Sequence, residues 1–282
     1  MCIEGDVMDY LRYYLSNLFM LAGATGFMLG GGAVWLGFAT FPAVVILDLL
    51  APRDELAVRV VRHPGLADVP LYLHAALVPV VVATAAYRVH AGDGGVPLGP
   101  GECAGIVLTL GWLGVMPNIP VAHELMHRRE PLPRVVAFLC TAAIGDPLRR
   151  LAHLRGHHAK LGLAIDSDTA RRGETIYTFM IRAAIGGTRE AFASERARLD
   201  KLGASIWSWR SDVVRSLVLT VAALGMVGAF TGPRALGIVA AGFGVSRLLL
   251  ESFNYLQHYG LVRVPGTRFG RRHTWSHLTP VV

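Results

Sequence analysis

Six apolar stretches dominate this chain, at residues 17–29, 33–50, 71–87, 104–121, 213–230 and 235–253. Most approach the roughly 20 residues that an α-helix needs to cross the hydrocarbon core of a bilayer. Composition agrees: 53% of the residues are hydrophobic and only 17% are charged, against roughly 25% in soluble domains. The mean hydropathy is +0.45. The expected fold is therefore all-α, a polytopic transmembrane helix bundle. The first two stretches form one long run, and Gly30-Gly31-Gly32 offers a place for it to turn, which gives a hairpin and about six spans in all. A single kinked span through 17–50 is the alternative. Residues 135–144 are too short to cross and are expected to lie at the interface or to re-enter. Acidic Glu4, Asp6 and Asp9 precede the first run, unlike the basic start of a cleavable signal peptide, so the first span is expected to be retained.

Arginine and lysine set the orientation, because cytoplasmic loops near membrane ends carry their excess. Segment 51–70 holds three basic residues, 123–212 holds fifteen and 254–282 holds four, whereas 88–103 and 231–235 hold one each. The three basic segments are expected to face the cytoplasm across an inner (plasma) membrane. A single-span reading of 17–50 moves the amino terminus but not these segments. The net charge of +7 thus follows topology rather than forming a nucleic-acid arm, and nucleic acid is excluded as a partner. The basic face is expected to attract anionic membrane lipid or an acidic protein. Cys2, Cys103 and Cys140 are odd in number and show no CxxC spacing, which supports neither a disulfide framework nor a thiolate metal site. With no repeat or linker, 1–282 reads as a single domain, the bundle plus a cytoplasmic cap built mostly from 123–212. Within the cap, 190–203 reads as a charged helix whose Glu195, Arg196, Arg198, Asp200 and Lys201 are expected on solvated faces.

Histidines mark the candidate site. His123 and His127 in HELMH, His153, His157 and His158 in HLRGHH, and His258 form three clusters, all on the side expected to be cytoplasmic. Residues four apart share a helix face, so each pair can aim two imidazoles at one point, and neutral imidazole suits iron, copper, nickel or zinc. Lone His74 and His90 read as ordinary structural residues. HELMH also fits HExxH, in which two histidines hold zinc and a glutamate acts as base, so a membrane zinc protease is a rival. Such a site needs only one further protein ligand, and this chain offers four more histidines. A histidine-rich centre on two helices and a later loop better suits two irons with positions left open for dioxygen. A hydrocarbon substrate would reach it from the bilayer. Candidate carboxylates for orienting the ligands are Glu124, Asp166, Asp168 and Glu251, each alternatively a cap or ion-pair partner. Arg247 and Glu251, four apart, are expected to pair. Small residues at Gly237, Ala240, Ala241, Gly242 and Gly244 are expected to allow close helix packing, or else to leave room for a chain.

Four pieces of sequence resemble one family, the membrane non-haem diiron alkane hydroxylases of the integral-membrane desaturase and hydroxylase group. HELMHRRE at 123–130 is similar to its first histidine box, and HLRGHH at 153–158 has the HxxxHH spacing of its second. DSDTARRGETIY at 166–177 resembles the stretch that follows, and NYLQHYGL at 254–261 looks like its HYG motif. The likeness runs over 71–278 in order. Acyl-lipid desaturases usually show HxxHH second boxes and lack HYG, so hydroxylation is favoured. The resemblance implies His123, His127, His153, His157, His158 and His258 as iron ligands, two non-haem irons, dioxygen as co-substrate, and electrons from a rubredoxin or ferredoxin-type donor. The family also carries an HxxHH box further on. These 282 residues contain no such box, and the expectation is that the sequence stops short of it; a degenerate relative is the alternative, and His273 and His277 as substitute ligands are a third. Other departures are Arg128 for lysine, Ala152 for an acid and Gln257 for glutamate. The reading is a membrane monooxygenase that hydroxylates an apolar C–H bond of an alkane or similar chain. A desaturase, a zinc protease and an inactive relative remain as rivals.

Overall fold

The computed structural model describes residues 3–4, 11–50, 59–60, 63–157, 160–268, 270, 273 and 275. His158 and His277 lie outside them. Apart from a two-residue pairing of Ile3–Glu4 with Arg59–Val60 and an isolated bridge at Asp93 and Val96, regular structure among the described residues is helical. In order come α1 (Leu15–Leu29), α2 (Leu36–Leu50, entered through the 3₁₀ turn Gly31–Trp35), α3 (Pro64–Ala91), α4 (Pro100–Val115), α5 (Asn118–His127) and α6 (Pro131–Ala142). They are followed by α7 (Arg149–Ala152), which runs into a π-helical turn at His153–His157, then α8 (Ile176–Asp200) and α9 (Asp212–His258).

Two glycines reverse the chain. At Gly30 φ is +73°, a region L side chains rarely adopt. Beyond it α2 returns along α1, so closely that a methyl at Gly37 would lie 3.0 Å from the Gly23 Cα. The expected hairpin therefore forms at this site. The 47 residues of α9 would extend about 70 Å if straight. Yet Asp212 at its start and His258 at its end both reach the same turn: Arg155 Nη2 lies 3.5 Å from Asp212 Oδ2, and the His157 and His258 rings are 5.2 Å apart. Gly232, with φ +84°, makes the fold-back. Pro233 then opens the second limb, where its missing N–H costs nothing.

The described helices thus run back and forth between two distinct ends. At one end the reversals meet. Glu102 accepts from the Gly31 amide and from Arg88, both at 2.9 Å, and Arg234 donates to the Leu98 carbonyl at 2.6 Å. His90 Nδ1 lies 3.1 Å from the Thr231 carbonyl, and His74 is buried against Asn118, structural roles for both. The histidine clusters occupy the other end. Four helices, Gly31–Leu50, Gly65–Ala91, Pro100–His127 and Asp212–His258, are long and apolar enough to cross a membrane; α1 has 15 residues. The outer surface carries Leu18, Met28, Leu49, Val221, Met226 and Phe230 well exposed. Water tolerates no apolar patch of that size, whereas lipid requires one. The chain is an integral membrane protein.

Lipid supplies no hydrophobic drive between helices, so close packing and polar contacts hold them together. Thr109 donates to the Val34 carbonyl at 2.8 Å, Trp112 to Thr40 at 2.8 Å, and Ser246 to the Leu110 carbonyl at 3.1 Å. Gly242 packs against Leu110 as expected of a small residue, while Gly237 and Gly244 have nothing within 4 Å of an added Cβ.

Residues 131–142 form α6, a 12-residue helix too short to cross and packed on α5. Within 190–203, one expectation is corrected. Glu195 is fully buried, not solvated, because it accepts from Arg155 at 2.5 Å, from Arg198 at 2.9 and 2.6 Å, and from the Asp212 amide at 2.6 Å. Burial opposes its charge, yet these donors hold its carboxyl down to about 2. It ties the middle of α8 to the π-helical turn and to the start of α9.

Candidate metal centre

His123 and His127 fall one turn apart near the carboxyl end of α5, and their rings face each other at 4.6 Å with Nε2 atoms 3.3 Å apart. Arg128 leaves the helix in an extended conformation. Its guanidinium forks onto Asp68 at 2.6 and 2.8 Å and reaches Glu124 at 3.2 Å. Glu124 therefore turns toward Arg128.

The second cluster departs from the simple helical expectation. His153–His157 is a π-helical turn, a local widening often found at functional sites. Within it the His153 and His157 rings stack at 5.4 Å and 26°. His153 lies 4.8 Å from His123 and 5.9 Å from His127, and His157 meets His258 at 5.2 Å. Three distant segments thus bring His127, His123, His153, His157 and His258 into one continuous row of rings. Candidate ligand atoms of His123, His127 and His153 lie within 4.8 Å of one another, as do those of His153, His157 and Asp168. His153 is common to both groups.

Buried carboxylates back this row. Asp166 Oδ2 lies 2.9 Å from His157 Nδ1 and accepts from the Thr169 hydroxyl at 2.6 Å, while its Oδ1 accepts from the Asp168 amide at 3.2 Å. Burial opposes a charge on His157, but Asp166 outweighs it and raises the imidazole above its usual value. Burial likewise opposes the Asp166 charge, and His157 and Thr169 hold its carboxyl low. Such a carboxylate fixes the ring orientation and tautomer of a ligating histidine. His258 Nδ1 lies 3.4 Å from the His273 carbonyl, and the His273 ring engages Gly270.

Behind the row sits a cluster whose Arg247–Glu251 pair was expected and whose centre, Arg149, with Asp146, was not. Arg149, almost wholly buried, reaches Asp146 at 2.6 Å, Asp168 at 3.1 Å and Glu251 at 2.8 Å. Arg247 pairs with Asp146 at 3.0 Å and, as expected, with Glu251. For Arg149 and Asp146 the signal in the sequence was their spacing of three, which marks surface pairs equally well.

A cavity of about 1000 Å³ opens at this end of the bundle. Leu71, Val115, Ile119, Val121 and Phe253 line its apolar part, and Arg128 lies at its polar edge. Ile119 and Val121 belong to α5, so the cavity adjoins the helix that presents His123 and His127.

Five described imidazoles exceed the three protein ligands of a single catalytic zinc, and imidazole is a ligand for iron, copper, nickel and zinc alike. Comparison with known proteins gives the family. The fatty acid desaturase family model matches residues 102–282. The chain is 40% identical over 277 residues to the xylene/toluene monooxygenase hydroxylase component XylM of Pseudomonas putida, covering 98% of this chain and 74% of that protein. It is 33% identical over 185 residues to alkane 1-monooxygenase 1 of Alcanivorax borkumensis, covering 64% of this chain and 46% of that protein. With the alkane 1-monooxygenase of Pseudomonas putida it shares 33% identity over 162 residues, 57% of this chain and 40% of that one. The chain thus spans about three quarters of XylM and less than half of either alkane monooxygenase. It belongs to the membrane diiron alkane hydroxylase family, monooxygenases within the fatty acid desaturase group.

Proposed function

We propose that this protein hydroxylates an apolar C–H bond of an alkane or an alkyl-aromatic methyl group, using two non-haem irons, dioxygen and electrons from a rubredoxin or ferredoxin-type donor. The observation that carries the reading is the convergence of five imidazoles from α5, the 153–157 turn and the end of α9, beside an apolar cavity. His123, His127, His153, His157 and His258 would hold the irons, with His158 added by the sequence pattern. When bound, the irons supply the activation of dioxygen that an unreactive C–H bond requires.

The chain's own residues do the rest. Leu71, Val115, Ile119, Val121 and Phe253 offer a hydrocarbon an apolar wall, with Asp68, Glu124 and Arg128 on the polar side of the same cavity. Asp166 holds the His157 ring so that Nε2, not Nδ1, faces the row. The second group, in which His153 is shared, supports a two-ion centre. Six membrane crossings, with the histidines on the cytoplasmic face of the inner membrane, fit the basic residues gathered at that end and its access to a soluble electron donor.

The protease reading is disfavoured because Glu124 turns to Arg128 instead of to His123 and His127. The desaturase reading keeps one observation in its favour, the family model that matches. Both are tested together by measuring iron and zinc in the purified protein and identifying products from octane, toluene and a fatty acyl chain with a reduced donor. About two irons per chain and an alcohol product are expected. Zinc at one per chain, or an alkene product, would refute the proposal.

A further inference from the structure

The cluster around Arg149 holds two guanidinium groups, Arg149 and Arg247, and three carboxylates, Asp146, Asp168 and Glu251. All three acids are buried, Glu251 completely. Charge inside a protein is costly unless compensated, and three acids against two bases leave one negative charge over. Asn254 donates to Glu251 at 2.8 Å, which solvates that oxygen without neutralising it. The direction in which the excess points is given by Asp168. One of its oxygens meets Arg149 at 3.1 Å, and its carboxylate also groups with the ligand atoms of His153 and His157 within 4.8 Å.

We propose that Arg149 is a positioning residue that aims Asp168 at the His153–His157 pair, and that the excess negative charge of the cluster is matched to the cations of the metal centre. The inference rests on the metal-centre reading above. Arg149 is suited to this because one planar fork can meet carboxylates on three different segments, whereas a lysine ammonium is a single point of charge. Those segments are the approach to α7 through Asp146, the loop after the π-helical turn through Asp168, and the last limb of α9 through Glu251. That limb carries His258 seven residues further on. One side chain thereby couples the second histidine cluster to the third. Arg182 steadies the same loop from outside, donating to the Ser167 and Thr169 carbonyls at 3.1 and 3.0 Å.

The members of the cluster separate positioning from mere stability. Asp146 binds Arg149 and Arg247 and belongs to neither group of candidate ligands, whereas Asp168 belongs to both the cluster and a ligand group. The experiment titrates Co(II) into metal-free full-length protein in detergent, reads its visible ligand-field bands, and records thermal unfolding of the same samples. Asp168→Asn and Arg149→Lys are expected to weaken Co(II) binding about 10- to 100-fold, the range for outer-shell partners of metal ligands, and to shift the bands. Asp146→Asn removes the excess charge without touching a candidate ligand atom, so it is expected to lower the melting temperature and to weaken Co(II) binding less than Asp168→Asn, with the bands as in the wild type. Should Arg149→Lys fail to fold, Asp168→Asn against Asp146→Asn still decides. Equal affinity and spectra in Asp168→Asn and wild type overturn the proposal, as does a loss in all variants that merely tracks their melting temperatures. A wild-type protein that binds no Co(II) overturns the metal-centre reading and this inference with it, a pattern distinct from either.

Discussion

Replacing Asp166 by asparagine isolates one interaction in the proposed centre. The side chain keeps its size, but its charge goes, and one of its two oxygens becomes a donor. If the nitrogen takes the Oδ1 position it faces the Asp168 amide, now 3.2 Å away, donor against donor. If it takes the Oδ2 position it faces His157 Nδ1 and the Thr169 hydroxyl, now at 2.9 and 2.6 Å. Neither orientation preserves the charge-assisted bond that fixes His157. Loss of such a partner typically lowers metal affinity about 10- to 100-fold, equivalent to about 1.4–2.7 kcal/mol. The assay is competition for Fe(II) between the detergent-solubilised protein and a chelator of known affinity, read as iron per chain. Thr169→Val, which removes only the hydroxyl, should cost less than Asp166→Asn. An Asp166→Asn protein whose iron affinity stays within about threefold of wild type would show that His157 needs no carboxylate to be held.

Glu195 offers a pH test of the cap. Its carboxyl is held from 4.5 down to about 2, so its contribution is complete above about pH 4.5 and disappears as pH falls toward 2. The shift corresponds to at most about 3–4 kcal/mol; the acid-induced drop in melting temperature should shrink in Glu195→Gln, and an unchanged drop would refute the assignment. Gly242→Leu should destabilise by about 1–3 kcal/mol through overpacking, since its Cβ would lie 2.7 Å from Leu110 Cβ. Gly237→Ala, with nothing nearby, should be close to neutral, and SDS-induced unfolding compares the two. Ile119→Trp should fill part of the cavity and raise KM for a long hydrocarbon about tenfold or more without changing iron content; an unaffected KM would place the substrate elsewhere.

Much of this was written in one dimension. Continuous apolar runs announce helices in lipid, and the Gly30 reversal was legible because only glycine suits a positive φ between two such runs. The histidine pairs were legible from spacing alone, since residues four apart share a face in α5 whatever surrounds it. Glu195 was misplaced for the opposite reason. A charged residue in a charged helix looks solvated until Arg155 and the Asp212 amide arrive from elsewhere in the chain.

Sequence by itself determined the membrane class, most of the helices and which histidines pair on one helix face, because these depend on local composition and short periods. The fold-back at Gly232 was legible too, since 231–235 separates two apolar runs; tertiary structure alone decided that the turn at 153–157 widens into a π-helix, and that His123, His153 and His258 share one row. It also decided which carboxylate serves which partner. Asp166 meets a histidine, Asp168 meets both Arg149 and the ligand group, and Glu251 meets two arginines. The physical reason is that ion pairing in a buried site depends on distance in space, and these partners are separated by up to 102 positions along the chain.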